Sequence, residues 1–331
     1  METFKKVISI FIRVGVSIAL LVFLFEQVDK KSLFVIIKNA NKPLLFSAFL
    51  VFFLIYVLCL LRWEMLLKAV KIHLPLKRII ISFAGGVFFS LFLPSTIGGD
   101  FMRSIDLATH TQRPKEVIAT VFLDRLSGYI GLVILTLLAV SFGWNLVQDS
   151  SILISLGIIV AILFIILIVL FNTFIYAKIN KLLLSPNAGR LRDAIKNLHE
   201  EIHVFRHKKR VILNNLFLSL IVQAIPPLTF YIIALSLGIK MNIIYFFVFL
   251  PIIGAITLLP ISIGGLGLRD ATTIYFFAKV GVSKDLAFAM SLLSFSFVLI
   301  YGVLGGLIYV LTVHHRRLQH HPSSGVRQAS Q

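Results

Sequence analysis

Two stretches decide the reading of this chain: Leu93-Pro94-Ser95-Thr96-Ile97-Gly98-Gly99-Asp100-Phe101-Met102-Arg103 and Leu259-Pro260-Ile261-Ser262-Ile263-Gly264-Gly265-Leu266-Gly267-Leu268-Arg269. They align at a constant offset of 166 (93 against 259), and further on Lys115-Glu116 answers Lys284-Asp285 at an offset of 169. That offset is close to half of the 331 residues, so the protein reads as two related halves. Each stretch is a helix breaker, because proline removes a backbone donor and glycine loosens the chain. Apolar sequence precedes each one, and a helix-compatible segment follows (Asp100–His110, Leu268–Lys279).

Outside these stretches the chain is built for a bilayer. Hydrophobic residues make up 58% and charged residues 14%, where a soluble domain has about 45–50% and about 25%. The excess falls in blocks of about 20 residues, the length that crosses a membrane as a helix. Val7–Phe25, Pro43–Leu61, Ser151–Phe171 and Val211–Leu237 are the plainest. The runs are continuous rather than alternating, which points to helices and not to a barrel. Lys5, Lys6 and Arg13 accompany the first run, and no small-residue cleavage site follows Phe25, so it reads as an uncleaved span. The net charge of +18 reflects Lys and Arg held in cytoplasmic loops rather than a nucleic-acid partner. The single cysteine, Cys59, excludes an intrachain disulfide.

A broken backbone inside a membrane survives only where protein or a water-filled cavity satisfies it. Interruptions at matching places in two halves point to a transporter binding site. Loop charge then sets the topology. Arg62, Lys68, Lys71, Lys77 and Arg78 put the loop after the second span inside, Lys178 to Arg210 put the central loop inside, and Arg316 and Arg317 do the same for the C-terminus. Gly143–Ser150 has no Lys or Arg and fits outside, which makes Glu116–Phe142 an outward-going span. Ile79–His110 must therefore enter and leave by the inside, and Met241–Lys279 by the outside. The expected fold is an all-α integral membrane protein, an inverted repeat in which each half has three full transmembrane helices and one re-entrant Pro/Gly-tipped hairpin. Residues 1–313 form one polytopic domain, with halves of about 1–142 and 151–313. A cytoplasmic amphipathic loop covers 172–210, and a disordered cytoplasmic tail covers 314–331. Both termini are expected in the cytoplasm. Lys30, Lys31, Lys38 and Lys42 oppose this orientation unless they lie on an interfacial helix.

An ionisable residue at membrane depth costs about 2.5–3.5 kcal/mol on insertion scales, so it is paired or functional. The candidates are Asp100, Arg103, Asp106, Asp124, Arg125, Arg269 and Asp270. Arg103 and Arg269 are related by the repeat, and their guanidinium groups suit a lipid phosphate in bidentate fashion. The bland alternative pairs Arg103 with Asp100 or Asp106, Arg269 with Asp270, and Arg125 with Asp124 or with an acid on a hairpin. The tip residues Pro94, Gly98, Gly99, Pro260, Gly264, Gly265 and Gly267 shape the loops. Pro226, Pro227 and Pro251 kink helices, and Gln223 reads as an interhelical hydrogen-bond donor. One enzyme signal competes. His199-Glu200-Glu201-Ile202-His203 matches the zinc-protease pattern H-E-x-x-H. Its surroundings read as a basic surface helix on anionic headgroups, so no metal and no cofactor is expected. No P-loop is present to drive an ATPase motor.

The stretches LPSTIGGDFMRS (Leu93–Ser104), LDRLSG (Leu123–Gly128) and LPISIGGLGLRD (Leu259–Asp270) carry a resemblance. The chain resembles the flippase-like transmembrane region of the lysylphosphatidylglycerol synthases, also found as stand-alone bacterial and archaeal membrane proteins. In the synthase this region moves an aminoacylated lipid between leaflets, and a separate soluble domain makes that lipid. This chain stops shortly after its last span. The resemblance therefore implies a lipid-handling module of the cytoplasmic membrane without aminoacyl transfer. It implies membrane lipids with anionic headgroups as partners, and a lipid- or glycan-modifying enzyme as a companion. The alternatives are a membrane lipid or sugar transferase, a zinc protease, and an accessory scaffold.

Overall fold

The computed structural model describes residues 29–93, 97–146, 149–171, 208–257 and 265–319, together with Gly15, residues 22–24, Glu26 and Phe205. In chain order the helices are α1 (Lys30–Asn39), α2 (Lys42–Ala69), α3 (Leu76–Phe89), α4 (Ile97–Thr111), α5 (Pro114–Phe142), α6 (Ser150–Phe171), α7 (Lys209–Ser236), α8 (Ile243–Thr257), α9 (Leu268–Ala278) and α10 (Lys284–Gln319). No strand occurs among the described residues. Lys42–Ala69, Pro114–Phe142, Lys209–Ser236 and Lys284–Thr312 are long and apolar enough to cross a bilayer. Their outward faces remain hydrocarbon, with Phe46, Ile118, Phe217, Leu307 and Leu311 exposed. Soluble monomers rarely leave contiguous apolar patches of this kind uncovered.

Helix α2 starts where Asn41 accepts the Leu44 N–H at 3.2 Å and Pro43 fills the first turn. It does not stop at the end of its apolar run. Trp63, Leu66, Leu67 and Val70 continue an i, i+3, i+4, i+7 stripe that is buried. Arg62 therefore lies inside a helix and not in a loop. The lysine-bearing segment Lys30–Asn39 is a short helix capped by Asp29. It buries Leu33 against Phe288 and Ala289 and exposes Phe34 and Val35.

Contacts between helix ends define two ends of the bundle. At one, Arg113 Nη1 donates to Lys71 O at 3.3 Å and the Lys208 ammonium reaches Ala69 O. At the other, Asn41 N–H donates to Ser236 O at 2.8 Å and Lys279 pairs with Asp149 at 2.7 Å. The hydrogen bond from Lys279 holds the Asp149 carboxyl well below the usual carboxylate range.

Helices α3 and α4 pack antiparallel. Gly86 lies against Gly99 and Arg103, and Ser82 and Arg78 meet Asp106. Helices α8 and α9 do the same, with Thr257 against Gly265 and the Phe249 ring against Phe276 and Phe277. Each interrupted segment is thus a helical hairpin. The first opens beside Lys71 and Arg113. The second opens beside Asp149, which holds Lys279, and beside Gly143, which touches Ile244. Helix α10 runs along the first hairpin, where Gly302, Gly305 and Gly306 meet Leu91, Ala84 and Phe88.

The two repeats differ in conformation. Helix α4 begins at Ile97, three residues before the expected start, so Gly98 and Gly99 lie in its first turn. Gly265 and Gly267 instead have left-handed φ values of 75° and 77° in the turn before α9. Pro94, Pro260 and Gly264 lie outside the described residues, as do the first apolar block apart from isolated positions and His199, His203 and most of 172–210. Helix α10 runs on to Gln319, six residues into the segment expected to be a tail.

Among the described glycines the closest backbone approach lies in the first hairpin, where a Cβ on Gly99 would sit 2.2 Å from Gly86 O. A Cβ on Gly86 would sit 2.9 Å from Gly99 O and 3.2 Å from Arg103 Cβ. Gly86→Ala is expected to destabilise by about 1–3 kcal/mol, the range for overpacking a tight contact. A lower midpoint of heat-induced loss of monodisperse protein in detergent would register it.

Candidate functional site

Helix α5 supplies the centre of the site through Leu123–Gly128. Asp124 and Arg125 are adjacent, and neighbours on a helix point in different directions. Asp124 is buried and receives Arg62 Nε at 2.6 Å and Arg103 Nη2 at 2.8 Å. Arg125 turns the other way and pairs with Asp100 on the first hairpin. Asp100 also receives Arg103 at 3.0 Å. Of the pairings open to the sequence, Arg103–Asp100, Arg269–Asp270 and Arg125 with a hairpin acid, Asp100, form. Asp106 belongs to Arg78 instead, and Asp124 and Arg125 do not pair with each other.

Surrounding groups fix the cluster. Arg62 Nη1 donates to Ser219 Oγ of α7 at 2.8 Å. The Arg62 guanidinium and the Gln223 amide pack beside Gly128, and Gln223 Nε2 donates to Gly128 O at 3.0 Å. Gln223 is thus the interhelical donor expected of it. The Arg103 guanidinium stacks over Trp63 at 4.7 Å and near Phe83 at 5.7 Å, as arginine does on aromatic faces. Trp63 is held by its Nε1–H on Thr120 Oγ1 at 3.3 Å. Buried Arg103 Nε makes no hydrogen bond.

Asp100, Arg103, Asp124 and Arg125 line a cavity of about 250 Å³, together with Tyr56, Cys59, Ser90 and Gly99. Three guanidinium groups (Arg62, Arg103, Arg125) face two carboxylates (Asp100, Asp124). Among the described residues the cluster therefore has a formal excess of one positive charge.

The repeat-related arginine of the second hairpin sits in a different setting. Arg269 pairs with Asp270 at 2.9 Å, donates to Ser291 Oγ at 3.1 Å and stacks over Phe295 at 4.7 Å. Asp270 is fully buried, and its other oxygen accepts the Gly267 N–H at 2.9 Å. It holds the turn that α9 grows from. This pair is neutral, and among the described residues none of the second hairpin lines the cavity. The structure thus gathers Asp100, Arg103, Asp124 and Arg125, and leaves Arg269 and Asp270 apart.

The sequence profile of the family described as the lysylphosphatidylglycerol synthase TM region matches residues 10–306. The chain belongs to this family. It is similar to UPF0104 membrane proteins of two archaea. One from Pyrococcus horikoshii is 25% identical over 311 residues, covering 87% of this chain and 91% of the relative. One from Methanothermobacter thermautotrophicus is 24% identical over 264 residues, covering 72% and 74%. A second from that organism is 25% identical over 292 residues, covering 81% and 86%. As a member of the lysylphosphatidylglycerol synthase TM-region family with several long apolar helices, the protein is a multi-pass membrane protein.

Arg62 is the member of the cluster that sequence reasoning missed. It follows an apolar run directly and so counts as a loop charge. The signal against that was the apolar stripe continuing past it through Trp63, Leu66, Leu67 and Val70. Its partner, 62 positions away, leaves no trace in local spacing.

Proposed function

We propose that the cavity seats the phosphate of an anionic lipid, either a phospholipid or a polyprenyl-phosphate-linked lipid, and that the protein helps this lipid change leaflet. One observation carries the reading: three arginines share two aspartates at a buried site. An uncompensated charge at membrane depth is costly, and such residues mark substrate paths. One phosphodiester would bring the cluster to neutrality. Guanidinium groups suit it because they offer paired donors in a fixed fork.

On this reading the hairpins are re-entrant, dip from opposite faces of the cytoplasmic membrane and are related as an inverted repeat. Their opening at opposite ends of the bundle supports it. The end with Lys68, Lys71, Lys77, Arg113, Lys115 and Lys208 to Arg210 faces the cytoplasm, by the excess of Lys and Arg in cytoplasmic loops. The short helix at the other end, with Lys31 and Lys38, lies along the opposite interface. No nucleotide motor is invoked, so transfer is passive or coupled to an ion gradient.

The test is reconstitution. Purified protein in sealed vesicles is given a dye-labelled anionic phosphodiester lipid or its zwitterionic counterpart, and the label in the outer leaflet is bleached chemically. The anionic lipid is expected to become accessible faster than in protein-free vesicles and faster than the zwitterionic one. Equal rates with and without protein would overturn the proposal.

A further inference from the structure

The outer face of the first hairpin carries a second hollow, of about 470 Å³, between α4 and the start of α5. That is within the range of small-ligand pockets, about 300–1,000 Å³. Phe101 and Ile105 wall it from α4 and Ile118 from α5, and all three are exposed. The polar residues along it are turned back on their own helix. Ser104 Oγ donates to Asp100 O at 2.7 Å, Thr109 Oγ1 to Ile105 O, and Gln112 Nε2 to Thr109 O at 2.8 Å. With those donors engaged, the hollow offers hydrocarbon and little else.

Its length and its two ends identify an occupant. Phe101 to Gln112 is eleven helical steps, about 16 Å at 1.5 Å each. Half of a hydrocarbon core is about 15 Å. The outer end, at Gln112 and Pro114, adjoins exposed Lys115. Two turns along α5 from Ile118 the same two helices are joined by the Arg125–Asp100 bridge, whose residues line the cavity. A cation at one end, an apolar trough one leaflet long, and the pair that lines the cavity lie in that order along the two helices. A peptide would bring backbone groups that such walls cannot satisfy. An alkyl chain brings none.

We propose that this groove holds one hydrocarbon chain of an anionic membrane lipid from the leaflet on which the first hairpin opens. The phosphate lies by Lys115 and the chain end by the Arg125–Asp100 bridge. The groove is the lane by which that lipid approaches the cavity. The destination rests on the function proposed above; the occupant does not.

The test uses the full chain in phosphatidylcholine vesicles containing phosphatidylglycerol with a diazirine at the end of one acyl chain. After irradiation, adducts are mapped by mass spectrometry. They are expected to concentrate on Phe101–Ile118 relative to α6, an equally lipid-exposed helix. Ile105→Trp and, from the opposite wall, Ile118→Trp each fill the groove at exposed positions that leave folding intact. Each is expected to bring groove adducts down to the level found on α6, because the indole occupies the space of the chain, with adducts on α6 unchanged. Adducts spread evenly over all lipid-facing helices, or unaffected by both substitutions, would overturn the groove. Lost adducts with undiminished lipid transfer would remove it from the route. Groove adducts in a protein that transfers no lipid would leave the groove standing and sink the proposed function instead.

Discussion

Asp124→Ala is expected to destabilise the protein by about 3–5 kcal/mol, the cost of removing one partner from a buried ion pair. Asp124 is the shared acceptor for Arg62 and Arg103, so its loss strands both guanidinium groups at once. Arg103 keeps Asp100, but Arg62 keeps only the Ser219 hydroxyl. The measurement is the midpoint of thermal loss of monodisperse protein in detergent. A second variant separates folding from charge. Arg62→Met with Asp124→Leu removes the pair together, and swapping a buried pair for apolar groups of similar volume is often neutral or stabilising. It leaves Arg103 and Arg125 facing Asp100, so the single positive excess survives. Stability is expected to recover and lipid transfer to persist. A double variant no more stable than Asp124→Ala would contradict this account of the cluster.

The second large effect concerns activity alone. Arg125→Gln makes the cluster neutral, with Arg62 and Arg103 facing Asp100 and Asp124. Asp100 retains Arg103, so no carboxylate of the cluster is left without a guanidinium. A bound phosphate loses a charge-assisted hydrogen bond worth about 1.5–3 kcal/mol, which is a factor of about ten or more. Transfer of the anionic lipid in the vesicle assay is expected to fall by at least that factor in protein that remains folded and monodisperse. Arg125→Lys keeps the charge and is expected to restore part of the rate. Wild-type rates in Arg125→Gln would separate the charge excess from function.

The sequence was most informative where physics is local. Apolar runs of bilayer length became α6 and α7 with ends moved by one or two residues, and α2 with its C-terminal end eight residues further on, because hydrophobic length and helical hydrogen bonding act along the chain. The Pro/Gly stretches, read as interruptions, lie between helices that fold back on each other. Two kinds of feature were not legible. Helix ends extend past apolar runs when one face remains buried, as at Arg62 to Ala69, and a charge count at the boundary then misassigns a buried residue. Ion pairing is set by which side chains meet across helices. Asp124 and Arg125 are neighbours in sequence yet serve different partners, one on α2 and one on α4. The difference between the matching arginines was equally hidden. Arg103 and Arg269 align in the repeat, but Arg103 meets α5, which brings Asp124 and Arg125, and α2, which brings Arg62, while among the described residues Arg269 meets neither.

The chain has two tryptophans, and they are placed very differently. Trp63 lies under the Arg103 guanidinium, while Trp144 is exposed at the far end of the bundle. Any event that draws Arg103 toward an arriving anion takes a cation off the face of the Trp63 indole, and its emission shifts while that of Trp144 stays still. The protein thus holds an intrinsic optical gauge of its own arginine, with a reference built in, readable without attaching any probe.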